Sequence, residues 1–198
     1  MQNTRYRTVL LFGAPGSGKG TLGKTLGTVP GFVHCACGDV FRTLDLNAPL
    51  GRVFAEYSSK GLLVPDETTI ALWKEFIDGL VHTHQFVPER DYLVLDGIPR
   101  NVAQAQIMDT YIDVRRIFHL ECSDMTLMAE RLKRRALKEN RLDDASEEVI
   151  YRRQEIYDAE SKPVLAHYPA EIITSLDALA TPVEVLHALL GQLLESPL

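Results

Sequence analysis

The chain has 198 residues, 45% apolar and 24% charged, with a formal net charge of −6. Its length suits one compact domain that buries roughly 70% of its unfolded surface, and its composition excludes an intrinsically disordered chain. The acidic balance also excludes a surface that tracks a nucleic-acid backbone throughout, so any basic site must be local.

Cys35, Cys37 and Cys122 are the only cysteines, an odd number that fits a reducing compartment without disulfides. The apolar run from Val9 to Phe12 is too short for a signal segment. No run approaches the ~20 residues needed to cross a bilayer. A cytoplasmic location is expected.

Short aliphatic or β-branched runs at 8–12, 32–35, 92–95, 116–121 and 171–174 read as strands, each separated from the next by a helically periodic segment. The alternation predicts an α/β fold, a parallel sheet wrapped by helices.

Directly after the first strand comes Gly13-Ala14-Pro15-Gly16-Ser17-Gly18-Lys19-Gly20-Thr21, with Leu22 onward able to begin a helix. This context defines a P-loop: glycines let backbone N–H groups converge on a phosphate, the helix dipole favours the anion, and Lys19 reaches the β and γ phosphates. Gly20 stands where the strict pattern has Ser or Thr, and Thr21 follows it.

Residues 36–65 interrupt the regular alternation, with a short helix expected from Pro49 to a stop at Gly61. In the next helix Ile70, Trp73, Phe76, Ile77, Leu80 and Val81 share one stripe, with Asp66 as its expected N-cap. The strand at 92–95 leads into Asp96, a carboxylate placed to hold Mg²⁺ or its waters at the sheet edge. Arg100 follows where a planar guanidinium fork can grip a phosphate.

Ser123, Ser146 and Pro182 mark the starts of three later helices. Between Arg131 and Arg141 lie Arg131, Lys133, Arg134, Arg135, Lys138 and Arg141 against one acid, Glu139, and Arg152 and Arg153 come one helix later. Arg131, Arg135 and Lys138 fall on one helix face. Arginines brought to a transferring phosphoryl group can be worth about 10³ to 10⁵ in rate. No general-base motif stands out, and a phosphate acceptor needs none because its oxygen is already ionised.

These residues together resemble the adenylate kinase family of nucleoside monophosphate kinases, over nearly the whole chain. The loop from Gly13 to Thr21 is similar to the family's P-loop, including its Gly-Thr ending. Gly38-Asp39 with Arg42 resembles the monophosphate-binding turn, and the stretch GLLVPDE resembles the segment whose backbone, at Leu62, Leu63 and Val64, runs along the acceptor base. Asp96-Gly97-Ile98-Pro99-Arg100 with Gln104 resembles the DGFPR motif and the glutamine that reads adenine.

The resemblance implies ATP-side roles for Arg131 and Arg135, with Arg141 and Arg153 clamping the transferring phosphates and Asp143 and Asp144 as paired lid acids. It places the Thr181 backbone against the ATP adenine. It implies one kinase domain over 1–198, a five-stranded parallel core of P-loop NTPase type, a monophosphate-binding insert at 36–65, and a short lid at 136–144 without structural zinc. The implied reaction is ATP + AMP to two ADP, with Mg²⁺, by a monomer that takes no nucleic-acid or membrane partner.

Cys37 stands where Thr is usual and Ala36 where Ser is common, which keeps UMP, CMP or a relaxed acceptor preference open as the alternative. Cys37 also raises the idea of oxidant sensitivity. Ile98 replaces Phe, and Leu22 replaces Gln. A rival of another class is a non-enzymatic nucleotide-sensing protein of the same fold or a GTPase-like switch, although the chain has no N/T-K-x-D guanine-reading motif.

Overall fold

The computed structural model describes residues 5–139, 146–195 and 198. Five strands, β1 (Tyr6–Gly13), β2 (Phe32–Ala36), β3 (Tyr92–Asp96), β4 (Ile112–Glu121) and β5 (Ile173–Asp177), form one parallel sheet in the order β2-β3-β1-β4-β5. β1 continues toward β2 on one flank and β4 toward β5 on the other. A crevice therefore opens at the carboxyl end of β1, where ligands bind in open α/β sheets.

The period-two alternation of β1 sorts the core onto the two faces of the sheet. Leu10 and Phe12 join Leu93, Leu95 and Ile117 in one cluster, and Val9 and Leu11 join Val94, Phe118 and Leu120 in the other. The helices α1 (Lys19–Leu26) and α8 (Pro182–Glu195) cover the second face through Leu22, Leu26, Val185 and Leu189. On the first face lie α2 (Cys37–Arg42), α4 (Asp66–His82) and α5 (Val102–Met108). The α4 stripe meets its expectation: Ile70, Trp73 and Ile77 are buried, and Phe76, Leu80 and Val81 pack beside them.

The helix α3 (Pro49–Ser59) has Pro in its first turn, as the sequence suggests, and Gly61 just beyond its end has φ +69°. The helices α6 (Met125–Glu139) and α7 (Glu147–Ile156) flank the stretch 140–145, which lies outside the described residues. Between α7 and β5 the chain forms a π-helical turn, Tyr157–Ser161, and two 3-10 turns, Lys162–His167 and Ala170–Ile172. No helix among the described residues is long and apolar enough to cross a membrane.

Several local expectations are corrected. Asp66 does not cap α4: Pro65 holds that position, and the Asp66 carboxylate accepts hydrogen bonds from Asn101 and Gln104 instead. Asp124, not Ser123, bonds the first turn of α6, accepting from Leu127 N–H at 2.9 Å. Ser146 precedes α7 as expected but makes no side-chain cap. β5 begins at Ile173, because residues 170–172 coil into a 3-10 turn. α6 continues to Glu139, so residues 136–139 of the expected lid are helical.

The sheet-facing side of α1 is built for a ring. A Cβ on Gly23 would lie 2.3 Å from His34 Nε2 and 2.5 Å from its Cδ2, and one on Gly27 would lie 2.7 Å from His34 Cβ. Gly→Ala in a helix interior ordinarily stabilises by about 0.5–1 kcal/mol. Here Gly23→Ala should instead destabilise by about 1–3 kcal/mol through overpacking. Urea denaturation should show that loss, and His34→Ala in the same chain should largely remove it.

Candidate active site

The P-loop forms because β1 ends in a turn that needs left-handed backbone. Gly16 and Gly18 have φ +86° and +98°, and a Cβ on Gly16 would sit 2.9 Å from Met128 O, in backbone that cannot yield. No side chain caps α1 at Gly18. The first-turn N–H groups of α1 therefore lack intrahelical partners and face an anion site with the positive end of the dipole.

Lys19 Nζ donates to Gly13 O at 2.6 Å and Ala14 O at 3.0 Å, which folds the side chain back over the loop. Burial, reinforced by Arg100, Arg135 and Arg153 and opposed by Asp96, holds the Lys19 ammonium down to about 8. The same charges that perturb Lys19 thus surround one cleft.

That cleft has a volume of ≈ 820 Å³. One end is walled by Pro15, Gly16, Ser17, Gly18, Lys19, Gly20 and Thr21, with Arg131 and Arg135 from α6. Arg131 Nη1 donates to Ala178 O at 2.6 Å and ties α6 to the loop before α8. Ala178, Ala180, Pro182 and Val183 make the apolar flank there.

The other end is lined by Cys37, Arg42, Leu62, Leu63, Val64, Gly97, Pro99, Arg100, Gln104 and Arg153. Arg42 Nη1 donates to Asp39 Oδ1 at 2.7 Å, and Lys24 Nζ lies 3.6 Å from Asp39 Oδ2. Arg100 Nε donates to Gly97 O at 2.7 Å, fixing the guanidinium over its own turn. Ser161 Oγ donates to Arg100 O at 2.8 Å, linking the segment after α7 to the same turn.

Four expected site residues do not line the cleft. Gly13 and Ala14 lie behind it and contribute carbonyls to Lys19. Ile98 is 2% exposed and belongs to the core, where its apolar side chain replaces another apolar one. Thr181 is turned away: its Oγ1 and N–H both bond Glu184 Oε2, at 2.7 and 2.8 Å, in a capping box that starts α8. Arg141, Asp143 and Asp144 lie outside the described residues.

The sequence reading missed Tyr157, which lines the cleft and packs on Ala14 while its hydroxyl lies 3.0 Å from His119 Nε2. Its position four residues beyond Arg153, one turn along the same helical run, was the available signal. Phe41 and Phe54, stacked with ring centroids 5.1 Å apart, also contribute to the wall. Cys37 is 3% exposed, and burial pushes its thiol up to about 11, so little thiolate exists at neutral pH and the oxidant-sensitivity idea loses its chemical basis.

Asp96 lies at the carboxyl end of β3, with Oδ2 3.5 Å from the place a Gly20 Cβ would take. Among the described residues no cluster of three or more His, Cys, Asp or Glu could cage a metal alone. One carboxylate beside a phosphate cradle instead suits Mg²⁺, which keeps its waters and takes substrate phosphates as ligands.

The Lys19 shift gives a pH signature. Its folded pKa lies below the unfolded value, so the unfolded chain binds more protons between about 8 and 10.5 and stability rises with pH across that window. Chemical denaturation from pH 7 to 10.5 should show the parent chain gaining stability relative to Lys19→Met, with the gain confined to pH above about 8.

Comparison with known proteins agrees with this geometry. The model of the family described as Adenylate kinase matches residues 11–173. The adenylate kinase of Flavobacterium psychrophilum is 32% identical over 166 residues, covering 81% of this chain and 83% of that protein. That of Cyanothece sp. is 37% identical over 166 residues, covering 81% and 80%. That of Thermus thermophilus is 31% identical over 186 residues, covering 90% and 92%. With the P-loop, the arginine-lined cleft and a family match over most of its length, the chain belongs to the adenylate kinase family.

Proposed function

We propose that the chain is an ATP:AMP phosphotransferase whose two nucleotides lie end to end in the cleft, meeting where Lys19, Arg100, Arg135 and Arg153 converge. The observation that carries this reading is that Lys19, Arg100, Arg135 and Arg153 line one cleft, between the P-loop and the opposite wall. The relatives' shared name supports AMP as the acceptor and does not favour the UMP/CMP or non-enzymatic alternatives.

The ATP phosphates occupy the amides ahead of α1, and Lys19 exchanges the Gly13 and Ala14 carbonyls for β and γ oxygens. The adenine of ATP rests on the apolar flank at Ala178, Ala180 and Pro182. Arg42 and Arg100 hold the AMP phosphate, Arg42 trading Asp39 for the substrate anion. Leu62, Leu63 and Val64 lie along the acceptor base, with Gln104 reading its edge and Cys37 close by.

An ionised oxygen of the AMP phosphate attacks the γ phosphorus. The new P–O bond forms as the bond to the β-phosphate oxygen breaks, leaving two ADP. No proton needs to be removed from the nucleophile. Charge spreads over the equatorial oxygens, where Arg135, Arg153 and Arg141 offset it. Asp96 would hold Mg²⁺ through its waters, and the bound ion would supply further charge neutralisation on the donor phosphates. Water competes with AMP as nucleophile, so closure over the donor, assigned to the short lid within 136–144, is part of the chemistry.

Coupled detection of ADP should show two ADP per turnover with ATP, Mg²⁺ and AMP, and no sustained ADP formation when AMP is omitted. Arg135→Ala should lower kcat about 10²- to 10³-fold with little change in KM for AMP. ATP consumption that is independent of AMP would contradict the assignment.

A further inference from the structure

Gln104 is 1% exposed and lines the cleft, yet both ends of its amide are already engaged. Its Oε1 accepts from Arg100 N–H at 2.8 Å, and its Nε2 donates to Asp66 Oδ1 at 2.6 Å. A backbone N–H can only donate, and a carboxylate oxygen can only accept. Turning the amide over would therefore set its NH₂ against the Arg100 N–H and its carbonyl against the Asp66 carboxylate.

Asn101 closes the set. Its Nδ2 donates to both Asp66 oxygens at 3.0 Å, while its Oδ1 accepts from Gln104 N–H at 2.7 Å, so this second amide is also fixed in one sense. Asp66 itself lies at the start of α4 and outside the cleft wall.

A primary amide carries two N–H donors and two oxygen lone pairs. With one of each used by Asp66 and Arg100, one donor and one acceptor remain for a ligand, in an order imposed from outside the cleft. An adenine edge offers an N1 acceptor beside an N6 amino donor. A 6-oxopurine offers an N1–H donor beside an O6 acceptor, the reverse order, and an amide meets that edge only after turning over.

We propose that Asp66 is a specificity-determining positioning residue: by clamping the Gln104 amide in one orientation it makes the acceptor site prefer a 6-aminopurine monophosphate over a 6-oxopurine one. This rests on the reading of Gln104 as the side chain that meets the acceptor base. The clamp adds the reason why that side chain favours one purine class.

The test compares kcat/KM for AMP and for IMP, which presents a 6-oxopurine edge on the same ribose phosphate, in the parent chain, Asp66→Ala, Asp66→Asn and Gln104→Ala. Asp66→Ala should lower the AMP-to-IMP ratio about tenfold or more, through the acceptor KM, with KM for ATP within about twofold of the parent. Asp66→Asn keeps one carbonyl acceptor and should give a smaller fall; it decides the matter if the alanine variant does not fold. A ratio unchanged in both Asp66 variants, or equal losses toward AMP and IMP, while Gln104→Ala lowers the ratio, overturns the clamp alone. A ratio unchanged in Gln104→Ala overturns the base-reading role and the clamp with it.

Discussion

The structure depends on gathering positive charge at the carboxyl end of β1, in a chain that is acidic overall. Lys19, Arg100, Arg135 and Arg153 line one cleft, and burial, with a smaller contribution from the three arginines and against the pull of Asp96, holds Lys19 down to about 8. The arrangement is costly without ligand, since like charges in a partly desolvated cleft repel. Phosphate oxygens relieve that repulsion as they enter. In the proposed reaction, binding and catalysis therefore draw on one preorganised field, and no side chain has to act as a base.

The sheet makes the gathering possible. β1 and β3 end side by side, so the P-loop and the Asp96 turn emerge together. α6 and α7 bring in their arginines from the other flank, Arg131 being anchored on Ala178 and Ser161 on the Arg100 carbonyl. At the acceptor end, the Asp66–Asn101–Gln104 network joins α4 to α5 across the wall of the cleft. On the proposed reading, the donor end is thus built from main-chain amides and charge, and the acceptor end from hydrogen-bonded side-chain amides.

What the sequence made legible follows from how local each signal is. The P-loop is a contiguous pattern between a strand and a helix, so spacing suffices. The α4 stripe and the two-faced alternation of β1 are equally local. The start of β4, residues 112–115, was hidden because Asp113 and Arg115 interrupt its apolar run. α2 was read as a turn because six residues that include Gly38 carry too little periodicity. Ile98 was misplaced by likeness of position: its side chain faces the core. The work of Asp66 could not be read at all, since its partners lie 35 and 38 residues away and meet it only in the folded chain.

Calorimetric titration of the chain with a dinucleoside pentaphosphate carrying adenosine at both ends, repeated across a series of salt concentrations, tests the central claim most directly. One ligand per chain is expected, spanning both ends of the cleft, with affinity that weakens steadily as ionic strength screens the cationic centre. Two ligands per chain, or an affinity indifferent to salt, would contradict it.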